Sequence, residues 1–323
     1  MRATVLGPVL AGCLLAGNAA ASDTVRLAIQ KTGTVAWELD VIHRHGLDRQ
    51  AGLTLETLEL ASPEAGKIAL RGGSADIIVS DWLWVTRERS LGAKLLFYPY
   101  SSALGAVMAL PTSSIRVLSD LRGHKIGVAG GPIDKSWLLM QAAMRQTGID
   151  LSKEATIVYG APTLLAEKTL QGELDATLNF WNICASLEAK GLRRVGGVED
   201  VLPKLGIAGR PAMVGYVFEE TWATRRRDLL ARFIEMTRKA KDILANSDLE
   251  WQQIAPLVGT SETSALRIYR DRYRDGIPRR SVAEDEEDAR TLFGVLAKVG
   301  GTSLVGPARE LDPGTFYRTG SGS

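Results

Sequence analysis

The sequence predicts an α/β fold in two lobes with a ligand cleft between them. Three observations carry the expectation. Residues 25–185 alternate short apolar strands with amphipathic helices, the pattern of a mostly parallel sheet covered by helices. The alternation restarts after Ser119. The chain has 323 residues, and a chain above about 300 residues usually divides between two cores.

The elements follow in order. Residues 25–29 (VRLAI) read as a first strand. A helix follows from Val35, with Val35, Leu39 and Ile42 on one face, and Gly46 is placed to end it. Residues 53–60 (LTLETLEL) alternate as a strand should. Ser62 and Pro63 mark a helix start as cap and first residue, and that helix ends at Gly72 and Gly73. Residues 76–80 (DIIVS) form the next strand, a helix begins near Trp82, and residues 95–98 form another strand.

The second set runs through a strand at 125–128, a helix at 136–147, a strand at 155–159, a helix at 162–171 and a strand at 174–178. A strand at 212–218 returns, and the rest is mainly helical, over 225–246, 249–258, 262–274 and 283–298. The segments at 106–109 and 212–217 are the expected crossings between lobes. This assigns 22–105 and 215–323 to the first lobe, with the last helices returning to it, and 106–214 to the second. The ligand belongs in the cleft, at the carboxyl ends of the strands.

Composition narrows the function. The formal net charge is +2, with 39 Lys and Arg against 37 Asp and Glu, so a nucleic-acid partner, which calls for a concentrated basic face, is not expected. There are two cysteines, Cys13 and Cys184, and three histidines. Neither Cys-x-x-Cys nor His-Glu-x-x-His occurs, so no metal site and no cofactor are expected. His43 and His45 are two apart, a spacing that points them away from each other on a helix.

Residues 1–21 carry Arg2, an apolar stretch over 4–15 and Ala19-Ala20-Ala21, the three parts of a secretory signal peptide. Cleavage is expected after Ala21, leaving a secreted chain. Leu10-Ala11-Gly12-Cys13 resembles a bacterial lipobox, so lipidation at Cys13 is the alternative. The tail at 320–323 (GSGS) is expected to be mobile.

Four stretches then resemble one family. They are residues 25–33 (VRLAIQKTG), 69–77 (ALRGGSADI), 120–128 (DLRGHKIGV) and 170–176 (LQGELDA). In this order they are similar to the periplasmic substrate-binding proteins of bacterial ABC importers, in the group that binds aliphatic sulfonates, taurine, nitrate and thiamine pyrimidine precursors. The resemblance implies the two-lobed, type II periplasmic-binding-protein fold with two hinge crossings. It also implies a monomeric receptor that hands a small solute to an inner-membrane ABC permease. The motifs build turns: Gly72, Gly123 and Gly172 serve tight turns, and Asp76 and Asp175 begin strands. They do not name the solute.

Candidate ligand-binding residues lie in the loops after strands. In the first lobe these are Gln30, Lys31, Thr32, Trp37, Glu38, Asp81, Trp82 and Ser101. In the second they are Gly130, Gly131, Asp134, Asn179, Trp181 and Asn182, and Tyr216 lies on the returning strand. Two glycines before a helix let backbone N–H groups approach a ligand, although Asp134 or Ser136 as a simple cap is the alternative. Seven tryptophans stand out among few aromatics. Trp82 and Trp181 directly follow strands, and the expectation is that they face one another across the cleft, whereas Trp37 and Trp137 sit one turn into helices, where packing is the alternative. Glu38, Asp81 and Asp134 suit an amine or ring N–H, and Lys31 and Lys135 suit an anion, so the sign of the ligand stays open.

Two other classes of function compete with a receptor. An enzyme on this fold finds no Gly-x-Ser-x-Gly, Walker or Gly-x-Gly-x-x-Gly machinery. A secreted accessory protein would keep the fold and bind a protein partner instead.

Overall fold

The structure is a computed structural model that describes residues 23–30 and 33–319. The expected signal peptide, the lipobox at Cys13, the candidates Lys31 and Thr32, and the tail at 320–323 lie outside the described residues.

Among the described residues, ten strands form two five-stranded sheets. They are β1 (Asp23–Gln30), β2 (Leu53–Leu60), β3 (Ile77–Asp81), β4 (Leu95–Ser101), β5 (Ala106–Ala109), β6 (Lys125–Ala129), β7 (Thr156–Gly160), β8 (Ala176–Asn179), β9 (Arg193–Gly197) and β10 (Val214–Glu219). The first sheet has the order β2-β1-β3-β10-β4 and the second β7-β6-β8-β5-β9. The elements around each sheet are called the first and second lobe below.

Both sheets are mixed, where a mostly parallel sheet was expected. β1 pairs in parallel with β2 and β3, and β6 with β7 and β8. β10 and β5 run antiparallel to both of their neighbours. The reason is topological: each of these strands arrives from the other sheet, so no βαβ crossover imposes its direction.

The two halves share a device. Asp76 accepts from the Arg26 N–H at 2.9 Å, and Asp175 accepts from the Lys125 N–H at 2.7 Å; each pair is 50 residues apart. In each case the aspartate's own N–H returns a bond to the same partner's carbonyl. Each Asp thus pins the entry of a strand, β3 or β8, to its parallel neighbour, which is the physical content of the Gly-x-x-Asp motif. Gly123 (φ +76°) and Gly172 (φ +75°) make the expected turns. In the first lobe the left-handed residue is Gly73 (φ +70°), while Gly72 has an ordinary φ of −79°.

Helix starts follow their caps. Ser62 Oγ accepts from the Ala65 N–H ahead of the helix Pro63–Arg71, and Gly46 (φ +62°) follows the helix Val35–Arg44. The helix Arg227–Asn246 lays an apolar face on the helix Val35–Arg44. The last helices straddle the lobes: Thr263–Asp275 packs on Trp181–Ala189, and Val282–Val305 packs on both Trp82–Ser90 and Lys135–Gln146. At the carboxyl end Phe316 bridges to Phe97 on β4. No helix among the described residues is long and apolar enough to cross a membrane.

Candidate functional site

Two Asp-x-x-Trp turns, one in each lobe, meet through an ion pair. Asp81 ends β3, and its Oδ1 accepts from the Trp84 N–H at 2.9 Å, capping the helix Trp82–Ser90. Asp134 Oδ1 accepts from the Trp137 N–H at 3.1 Å, capping the helix Lys135–Gln146. Gly130 (φ +83°) and Gly131 (φ +86°) bend the chain into this second cap. A Cβ on Gly130 would lie 2.6 Å from Asp134 Oδ2, so the glycine allows the close approach of the aspartate.

The two turns are joined across the lobes. Lys135 Nζ donates to Asp81 Oδ2 at 3.1 Å. Burial works to raise the Asp81 carboxyl, but the Lys135 charge and the Trp84 N–H outweigh it and hold it below the usual range. Burial pushes Asp134 up, with Lys135 opposing.

Residues from both lobes enclose a cavity of about 10 Å³, room for about one water. Its walls include Thr34, Glu38, Tyr100, Ser101, Trp181 and Lys241. Glu38 is 1% exposed and Lys241 7%. Lys241 Nζ and the Tyr273 hydroxyl both donate to Glu38 Oε1, at 2.5 and 2.6 Å. Lys241 Nζ also lies 3.7 Å from the centre of the Tyr100 ring, a cation–π contact. Burial lowers the Lys241 pKa against the pull of Glu38. Burial also raises Tyr100, Tyr216 and Tyr273 well above the usual phenol value, and the Glu38 charge adds to this.

Trp181 is the aromatic contact across the cleft. Its ring meets Trp37 edge-on at 5.8 Å and Tyr273 at 6.3 Å. Trp37 also packs edge-on against Trp251 and Tyr269.

The sequence candidates sort accordingly. Glu38, Ser101 and Trp181 line the cavity, and Trp37 backs Trp181. Tyr216 is buried one ring behind Tyr100, at 5.1 Å. Asp81, Gly130, Gly131 and Asp134 are not among the cavity's lining residues and belong to the two capping turns that Lys135 joins. Gln30 closes a turn by accepting from the Gly33 N–H. Asn182 is half-buried beside Trp181.

Two expectations change. Trp82 does not face Trp181: it is 0% exposed and packs in a hydrophobic core with Ile78, Val85 and Phe97, where burying the large ring is more favourable than leaving it in the cleft. Asn179 has no free polar end. Its Nδ2 donates to the Pro162 carbonyl at 2.8 Å and its Oδ1 accepts from the Phe180 N–H at 2.9 Å, so it shapes the loop. His43 and His45 turn to different carboxylates, Asp48 and Glu250.

Lys241 and Tyr273 were not foreseen, since both sit in the helical last third. One signal was available. On the helix Arg227–Asn246, Lys241 falls on the buried face with Thr237, Ala240 and Leu244, and a lysine on a core-facing stripe calls for a partner.

Two mixed sheets joined by β5 and β10, with a cavity where the lobes meet, define the periplasmic-binding-protein fold. The chain belongs to the NMT1/THI5-like family, which matches residues 43–248. The fold is similar to that of the periplasmic aliphatic sulphonate binding protein SsuA from Escherichia coli. That match has 18% identity and a TM-score of 0.70, over 88% of this chain and 94% of that one. It is also similar to the alkanesulfonate-binding protein SsuA from Xanthomonas axonopodis pv. citri, solved with MOPS. Here identity is 18% and the TM-score 0.66, over 93% of this chain and 100% of that one. The desulfurization enzyme DSZB shares the fold at 17% identity and TM-score 0.58, over 88% of this chain and 96% of that one. No curated protein sequence matches the chain.

Proposed function

We propose that this chain is the solute-binding receptor of an ABC import system. It captures a small organic ion or aromatic nutrient, sulfonate-, nitrate- or pyrimidine-like, in the periplasm and delivers it to an inner-membrane permease. The observation that carries this reading is the cavity walled from both lobes, with the Glu38–Lys241 pair and Trp181 in its lining. A site made of two lobes binds by closing, and the closed shape is what a permease can recognise. The gap holds about one water as described, so a solute enters when the lobes part. The lobe division at 22–105 with 215–323, and 106–214, belongs to this proposal, as does export through the segment 1–21.

A fold shared with an enzyme leaves catalysis to be weighed on this chain's own residues. Cys184 is 1% exposed, and burial pushes its thiol up to about 12. Its Sγ donates to the Ala106 and Asn179 carbonyls. At neutral pH it stays a thiol, not the thiolate that attacks. This supports binding without turnover.

A thermal-shift and calorimetry screen over sulfonates, nitrate, pyrimidines and amines tests the reading. Saturable one-to-one binding by a member of the set is expected. If none binds, and the protein isolated from its own cells carries no solute, the reading fails.

A further inference from the structure

We infer that residues 282–300 travel with the second lobe, and that Gly301 is a third hinge at which the chain returns to the first. The inference rests on the receptor reading above and takes these residues out of the first lobe of the proposed division.

The helix Val282–Val305 is broken at Gly301, whose φ of +59° and ψ of −162° are not helical. That conformation is open essentially to glycine alone. Gly300 beside it is glycine for a different reason. A Cβ there would lie 2.7 Å from Leu304 Cδ2 and 3.0 Å from Leu138 Cδ1, so the bare backbone lets two side chains close in. A Cβ on Gly301 would meet nothing within 4 Å. Packing does not ask for glycine at 301; the backbone angles do.

The break falls where the partners change. Upstream of it, Gly300 lies against Leu138 on the helix Lys135–Gln146, and Thr291 lies beside Gly206, both in the second lobe. Downstream, Gly306 lies against Arg87, and Asp312 accepts from Arg89 Nε at 2.6 Å, both on the helix Trp82–Ser90. The Phe97 N–H on β4 donates to the Thr315 carbonyl and the Tyr317 N–H to the Phe97 carbonyl, each at 2.8 Å. The chain enters the second lobe beside the other two crossings. The Gly276 carbonyl accepts from the Ser102 N–H at 2.9 Å, and Asp285 lies beside the Ala212 backbone.

A packed helix moves as a body, so one helix cannot follow two lobes that part. Hinges are a few residues that absorb the change in φ and ψ. Gly301 has that freedom and carries no side chain whose packing the change would disturb.

Four exposed positions take spin labels on the whole mature protein: Lys239→Cys in the first lobe, Gln171→Cys in the second, Glu287→Cys upstream of the break and Glu310→Cys downstream. They are combined in pairs. Cys184 is 1% exposed and escapes the label. Thr34→Trp, on the cavity wall, wedges the lobes apart without a solute. Double electron–electron resonance is read with and without the wedge. The 239–171 and 287–310 distances should both shift, while 287–171 and 239–310 hold. A shift in 239–171 with 287–310 fixed would overturn the inference, as would a shift in 287–171. A fixed 239–171 distance would overturn it too, since the lobes then do not part. If the wedge variant does not fold, the same four distances in the double variant Asp81→Asn with Lys135→Met decide. None of these readings needs a solute, so a solute screen that finds no binder sinks the receptor reading and leaves this result standing.

Discussion

Lys135 reaches from the second lobe to Asp81 at the end of β3, and their 3.1 Å ion pair ties the two lobes. Asp81 serves two structures with its two oxygens. Oδ1 caps its own helix and Oδ2 holds the other lobe. Lobe position and helix geometry are thereby linked through one side chain.

Asp81→Asn keeps the cap, because an asparagine oxygen still accepts from the Trp84 N–H, but it removes the charge. Closure should weaken by about 1 kcal/mol, the scale of a partly exposed pair, and solute affinity should fall roughly fivefold. Lys135→Met should do the same, and the double variant should cost no more than either single one. Small-angle scattering and a double-mutant cycle on affinity read both effects.

The pair also has a pH window. The folded Asp81 pKa is depressed, so its contribution is present above the unfolded value of about 3.9 and fades as pH falls through the lower folded value. Closure should be insensitive to pH from about 5 to 8 on this account. A loosening on going from pH 7 to 6 would have to come from another group.

Such a group exists for stability. Asp285 is 1% exposed, neither oxygen makes a hydrogen bond, and burial raises its pKa to about 6. The Ala212 backbone beside it and Arg280, 3.8 Å away, work in the opposite direction. With the folded pKa above the unfolded one, its contribution is full below about pH 4 and is lost as pH rises to about 6. Asp285→Asn should therefore stabilise the protein at pH 7 by about 2 kcal/mol and flatten this slope. Urea unfolding at pH 4.5 and 7 measures it.

Fluorescence distinguishes the tryptophans. Trp181 meets Trp37 across the cleft, so opening or filling the cleft changes its surroundings, whereas Trp82 is sealed in a core. Trp181→Phe should remove most of the solute-induced change in emission, and Trp82→Phe should leave it.

Much of the fold was legible because local chemistry and tertiary structure agree in it. Ser62-Pro63 starts a helix, Gly46 follows one, and Asp76 and Asp175 pin strands wherever the chain makes this turn. β9 was missed because Arg193-Arg194-Val195-Gly196-Gly197 carries no β-forming pattern; pairing with β5 makes it a strand. Looking just past the strands was enough to reach three residues of the cavity wall, Glu38, Ser101 and Trp181. Trp82 follows a strand too, but helix phase turned it inward, and phase is set by packing that a spacing rule does not contain. Lys241 and Tyr273 come from helices more than 200 residues away in sequence from Glu38, and only the tertiary fold brings them to it.

Breaking the buried pair should be costly. Lys241→Met leaves Glu38 charged without its lysine, a loss of about 3–5 kcal/mol in stability. Pairing it with Glu38→Gln should restore most of that, as chemical unfolding of the three variants will show.

The most direct test of the receptor account is native mass spectrometry of the protein purified from its own cells. The account predicts a single small solute, held one to one and lost or much reduced in Trp181→Ala, which strips the cavity wall. A wild-type protein that carries no solute and takes up none of the probe compounds would contradict it.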